Sequence, residues 1–125
     1  MECIEVIDPF QMKASVQAFK RALSFEGPSV VISRQACMVQ ITLRERRREG
    51  IRVLPFFVDR ERCNGCAQCV DNFNCAAIYW SDVIDEKSGR NKAAIDPLLC
   101  ASCGVCSQVC ARKAIHKQKF LGKAR

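Results

Sequence analysis

Eight cysteines in two short runs constrain this chain more than any other feature. They stand as Cys63-x2-Cys66-x2-Cys69-x5-Cys75 and Cys100-x2-Cys103-x2-Cys106-x3-Cys110. Only Cys3 and Cys37 lie outside the runs. Thiols this close together form disulfides, bind zinc or hold iron–sulfur clusters. A four-cysteine zinc site uses paired Cys-x2-Cys runs and has no need of a third cysteine at the same spacing. Two triplets, each completed by a fourth cysteine, fit two [4Fe–4S] clusters.

The two runs are halves of an internal repeat. Val58-Asp59 returns as Ile95-Asp96, Cys63, Cys66 and Cys69 as Cys100, Cys103 and Cys106, and Ala77-Ile78 as Ala114-Ile115, always 37 residues on. Only Cys75 breaks the register, two positions later in its half than Cys110 in the other. In two-cluster ferredoxins the fourth cysteine faces and ligates the other cube. Cluster one is therefore expected on Cys63, Cys66, Cys69 and Cys110, and cluster two on Cys100, Cys103, Cys106 and Cys75. Gly65 and Gly104 sit inside the loops, where small residues let backbone wrap a cube. Arg112 and Lys113 follow Cys110. As cations they would favour the reduced form of the nearer cube, unless they are solvated surface charges.

The formal charge is +7 over 125 residues. Two clusters with their thiolates, at about −2 each, bring that to roughly +3, which weakens any argument for nucleic acid. The basic run 44–49 has no aromatic residues interleaved, as single-strand binding would need. It reads as a solvated helix face, or as a docking surface for an acidic redox partner. No signal-peptide pattern opens the chain, and no run approaches the roughly 18 apolar residues of a membrane span. A cytoplasmic location is expected, where ten cysteines argue for metal over disulfides.

Residues before the first run have a different pattern. Residues 3–7 read as a strand. Asp8 is expected to cap a helix, with Pro9 in its first turn and Gln11 completing a capping box. Val16, Phe19 and Leu23 give that helix one apolar face, and Gly27-Pro28 ends it. The apolar β-branched run 29–33 reads as a buried strand, 36–49 as a second helix, and 51–58 as a third strand with Pro55 at an edge or bend. The expected fold class is α+β: a small βαβαβ segment, 1–57, then a bacterial-type two-[4Fe–4S] ferredoxin domain, 58–125. Residues 81–92 read as a polar loop between the halves. A segment of some 57 residues buries only about 60% of its unfolded surface, so it is expected to complete a larger sheet.

Residues 58–116 resemble a two-cluster ferredoxin domain. The stretch before them is more specific. Asp8-Pro9, a helix, Gly27-Pro28-Ser29-Val30-Val31-Ile32-Ser33-Arg34-Gln35-Ala36-Cys37, then a strand into Val58-Asp59 and Cys63, is similar to the C-terminal end of the indolepyruvate ferredoxin oxidoreductase alpha subunit. There the last part of a thiamine-diphosphate domain runs into a two-cluster ferredoxin domain. The string Cys69-x5-Cys75-Ala76-Ala77-Ile78 also resembles that family's first motif, with Ala76 where proline is usual. The sequence given has no Gly-Asp-Gly…Asn motif for magnesium and thiamine diphosphate, so no catalytic residue is assigned. The resemblance implies an electron-transfer subunit of a 2-oxoacid:ferredoxin oxidoreductase-like complex, with catalytic and acceptor subunits as partners and no nucleic acid. The alternative is a free, diffusible ferredoxin-like carrier. Cys3 and Cys37 read as inert thiols, His116 as structural, and Tyr79 and Trp80 as packing over a cluster.

Overall fold

A computed structural model describes residues 3–47 and 54–118. They form two compact units that divide between Cys37 and Met38, twenty residues earlier than the expected boundary at 57/58.

In the first unit, β1 (Cys3–Ile7) and β2 (Ser29–Ser33) pair in parallel through α1 (Met12–Ser24). Both strands lie where the apolar, β-branched runs put them. The helix starts later than expected. Asp8 turns the chain instead of capping it: its Oδ1 accepts the Phe10 N–H (2.9 Å) and its carbonyl accepts the Gln11 N–H (3.0 Å). α1 lays Ser15, Ala18 and Ala22 on the sheet, all buried. Small side chains at i, i+3 and i+7 let helix and sheet approach closely. The Arg21 guanidinium meets Glu5 on that face (2.6 and 2.8 Å) and holds the Glu5 carboxyl below its usual range. The bulkier stripe of Val16, Phe19 and Leu23 points outward; Leu23 is 85% exposed. On the other side of the sheet the register pairs Ile4 with Val30 and Val6 with Ile32, and all four are exposed. The run 29–33 is therefore not buried as expected.

The second unit begins with α2 (Met38–Arg47), whose buried Thr42 donates its hydroxyl to the Ala101 carbonyl (3.1 Å). Ala36 and Cys37, expected in that helix, precede it, while residues 48–49 of the helix and 51–53 of the third strand lie outside the described residues. The described part of that strand, β3 (Phe56–Val58), does not extend the parallel sheet. It pairs antiparallel with β6 (Ile115–Lys117). The βαβαβ expectation is corrected accordingly: the parallel unit is βαβ, and the third strand belongs to the repeat.

That repeat is a pseudo-two-fold. Val58 opposes Ile115 in β3–β6, and Ile95 opposes Ile78 where β5 (Asn91–Ile95) pairs with β4 (Ile78–Ile84). The Asp59 N–H donates to the Ala114 carbonyl (2.7 Å), and the Asp96 N–H to the Ala77 carbonyl (2.8 Å). Each aspartate then turns the chain into a cysteine loop. Oδ1 of Asp59 accepts the Glu61 N–H, and Oδ1 of Asp96 the Leu98 N–H, as Asx turns do. After each loop comes one helical turn. In the second half it is α3 (Val105–Val109), closed by Cys110 N–H to the Cys106 carbonyl (3.1 Å). In the first it is a wider π-turn (Gln68–Asn72), closed by Phe73 N–H to the Gln68 carbonyl (3.1 Å). Both turns hold five residues, and the two extra residues, Phe73 and Asn74, follow the π-turn before Cys75. Residues 81–92, expected as a loop, are mostly the β4–β5 hairpin. Its turn is held by Asp85, which accepts the Ser88 N–H (2.9 Å) and pairs with Lys92 (3.3 Å); bonding from Ser88 and the Lys92 charge keep its carboxyl low.

Left-handed backbone recurs at the same two places in each loop: Gly65 and Ser102 (φ +67° and +58°), then Ala67 and Gly104 (φ +69° and +78°). Gly65 is doubly required, since a Cβ there would lie 2.6 Å from the Asn91 carbonyl oxygen. Ala67 has a Cβ where backbone strain of about 1 kcal/mol is expected. Ala67→Gly is predicted to raise the unfolding free energy of anaerobic, cluster-loaded protein, read by denaturant titration, by up to about 1 kcal/mol, and Gly65→Ala to lower it by about 1–3 kcal/mol.

Candidate metal centre

The loops bring the cysteines together in two sets, each drawn from both halves of the repeat. Cys63, Cys66, Cys69 and Cys110 line one small pocket, together with Gly65, Ala67, Trp80, Ala93 and Arg112 among others. Cys69 sits deepest and is buried, whereas Cys66 is exposed. Burial first, and then the neighbouring thiols of Cys110, Cys63 and Cys66, push the Cys69 thiol up to about 11. Cys106 has the same place in the other half. Burial and then the thiols of Cys103, Cys100 and Cys75 push it up to about 12. The third cysteine of each loop thus lies among the other two of its triplet and the fourth cysteine of the opposite half.

The local folding that does this is simple. The π-turn and α3 each begin one residue before the third cysteine, so they carry Cys69 and Cys106 inward. The chain then leaves each turn towards the other half. Cys75 stands at the entry to β4, where the Ile78 N–H donates to its carbonyl (2.9 Å). Cys110 stands just before β6, where the Lys113 N–H donates to its carbonyl (3.0 Å) and the Ala114 N–H to its sulfur (3.3 Å).

These donors suit a cluster better than a single ion. Among the described residues, no three His, Cys, Asp or Glu side chains converge closely enough for one metal ion. A cube spreads its four thiolates, because each binds a different iron. All ten cysteines are free thiols. The core of the unit is built on the same residues: Cys69, Ile78, Ala93, Cys106 and Ile115 pack together, with Cys63, Cys75 and Cys110 partly buried against them.

The remaining candidates separate. Trp80 borders the cavity, whereas Tyr79 is not among its lining residues and is half exposed. His116 stacks obliquely on Phe57 (6.0 Å), its partner across β3–β6. Arg44 is exposed; the side chains of 45–49 lie outside the described residues. Cys3 is on β1, and Cys37 is exposed beyond β2. The reading missed Thr42 and Ser102, whose hydroxyls tie the second loop to α2 and to the Leu54 carbonyl (2.9 Å). Nothing in their local sequence distinguishes them from other surface hydroxyls.

Comparison with known proteins places these residues. Residues 62–114 match the family model of the 4Fe-4S dicluster domain. Over 114 residues, 91% of its length, the chain is 40% identical to the indolepyruvate oxidoreductase subunit IorA of Pyrococcus horikoshii. It is 38% identical over 93% of its length to the subunit of the same name from Thermococcus kodakarensis. The chain belongs to the IorA family, in its C-terminal part. It spans only about one sixth of the length of these relatives: 16% and 17%. A shorter match, 36% over half of the chain, is to the dihydromethanopterin reductase (acceptor) of Methanosarcina mazei. The dicluster domain carries two [4Fe–4S] clusters, which makes this an iron–sulfur chain.

A pH dependence follows from the two deep thiols. Both are raised above the ordinary thiol range, so the cluster-free fold is favoured while they stay protonated. That contribution is whole below the unfolded thiol value and is lost as pH rises through the raised values. Cluster-free, reduced protein is predicted to lose thermal stability between about pH 9 and pH 11. Circular dichroism melts should show a shallower alkaline slope in a Cys69→Ala, Cys106→Ala variant.

Proposed function

We propose that the eight cysteines hold the two cubes in crossed sets, Cys63, Cys66, Cys69 and Cys110 for one, and Cys100, Cys103, Cys106 and Cys75 for the other. The supporting observation is that each buried third thiol lies among its own triplet and the fourth thiol of the opposite half. Bound there, each cube supplies one-electron transfer. The chain's own part is to hold the thiols apart at fixed positions, exclude water from Cys69 and Cys106, and carry the charged groups around them.

In this reading the chain is the electron-transfer part of a 2-oxoacid:ferredoxin oxidoreductase-like complex in the cytoplasm. Oxidation of the substrate falls to catalytic residues outside the sequence given, and an acceptor subunit or an acidic redox partner takes the electrons. Residues 58–125 hold the clusters, within a unit that begins at Met38. The docking segment 1–57 contracts to 1–37, because α2 belongs with the cluster unit. Two apolar surfaces on that segment support docking: Ile4, Val6, Val30 and Ile32 on the sheet, and Val16, Phe19 and Leu23 on the helix, all exposed. A free carrier would have no use for them.

Two measurements test the reading. For ligation, a Cys66→Ala, Cys110→Ala double variant is predicted to keep one cluster, about four irons per chain. A Cys103→Ala, Cys110→Ala double variant should lose both. Uncrossed ligation reverses the two results. For the complex, anaerobic gel filtration of native extract should place the chain at the size of a larger assembly. Elution as a monomer would favour the diffusible carrier.

A further inference from the structure

The two sets of thiols are not equivalent, and the difference lies in the turn after the fourth cysteine. After Cys110 the chain reads Ala111-Arg112-Lys113-Ala114. Arg112 borders the cavity of Cys63, Cys66, Cys69 and Cys110. Lys113 does not. Its backbone is left-handed (φ +50°), and it lines a separate groove with Phe56, Ser107, Gln108 and His116. Two neighbouring cations thus fall on different sides of Cys110. In the same turn the Ala114 N–H donates to the Cys110 sulfur (3.3 Å). The matching turn after Cys75 reads Ala76-Ala77-Ile78. It offers no cation; its Ile78 N–H donates to the Cys75 carbonyl, as the Lys113 N–H does to that of Cys110.

A guanidinium beside a cluster, and an N–H on a ligand sulfur, both stabilise the extra electron of the reduced form. We infer that Arg112, and not Lys113, sets the cluster at Cys63, Cys66, Cys69 and Cys110 to the higher potential of the two. Electrons delivered to either cube settle there. This is also the cube whose ligand Cys66 is exposed, whereas the second loop is tied down by Thr42 and Ser102. The higher-potential cluster is then the one that faces an outside acceptor. The inference rests on the crossed ligation proposed above.

The test is a dithionite titration of the full chain, reconstituted with both clusters and followed by electron paramagnetic resonance. A Cys66→Ser background marks the first cluster through its altered signal, and iron content reports the loading of every variant. In Arg112→Gln the reduced-to-oxidised ratio of the marked cluster, at the poise where the parent is half reduced, is expected to fall about threefold or more. The unmarked cluster stays in place. Arg112→Lys retains most of the ratio and Lys113→Gln all of it. Full loading with no shift in Arg112→Gln, a shift in the unmarked cluster, or an equal shift in Lys113→Gln would overturn the inference. If instead the Cys66→Ala, Cys110→Ala variant loses both clusters, the crossed ligation itself fails.

Discussion

The second unit depends on two thiols, Cys69 and Cys106, that have been moved out of water and surrounded by other thiols. Their burial is unfavourable to the charged form, which is why both are pushed so high when protonated. A metal cluster reverses that sign. It takes the thiolates, neutralises them, and converts a repulsive group of sulfurs into the strongest cross-link in the unit. Around this centre the apolar core is thin. Ile78, Ala93 and Ile115 are its buried members besides the cysteines, and among the described residues no large side chain is fully buried. Burial of an isoleucine is worth about 1.5–3 kcal/mol. Ordering a single residue's backbone costs about 1–2 kcal/mol. A core of this size leaves the loops only marginally held until the clusters bind.

The pseudo-two-fold explains how so short a chain surrounds two cubes. Each half supplies a strand, an Asx turn, a loop with two left-handed residues, a helical turn and a return strand. Each strand pair joins the start of one half to the end of the other, β3 with β6 and β5 with β4. The fourth cysteine is thereby carried across the axis. Divergence is tolerated where the symmetry is not needed. One half has a π-turn where the other has an α-turn and carries two extra residues between that turn and Cys75, and the β4–β5 pair grows into a hairpin that β3–β6 lacks. The same freedom allows a cation at one cluster and alanine at the other.

Much of this was legible in the cysteine spacing, because covalent geometry leaves few ways to bring four thiolates to one cube. The offset of 37 identified the halves, and the same offset governs the strand register and the helical turns. Strands 3–7 and 29–33 were legible from β-branched runs. The partner of β3 was not. An apolar run such as 54–58 pairs equally well in parallel or antiparallel, and only the closing of the cysteine loops selects β6. Asp8 misled because an aspartate two residues before a turn and one at a helix cap look alike in sequence. In α1, periodicity found the bulky stripe, Val16, Phe19 and Leu23, and took it for the buried one. The sheet instead receives Ser15, Ala18 and Ala22, since small residues permit the closest approach.

That reversal bears on what the first unit is. A helix that buries its small face and exposes its large one has an apolar stripe left over for a second layer. The sheet tells the same story from the other side, where Ile4, Val6, Val30 and Ile32 form a flat apolar surface with no cover. Parallel strands are found buried on both faces almost without exception, and two strands alone are marginal in water. The Glu5–Arg21 pair is exposed and contributes little to offset this. The cluster unit closes on itself around its thiols. The βαβ unit does not close: among the described residues both its sheet face and its outer helix stripe keep their large apolar side chains in water.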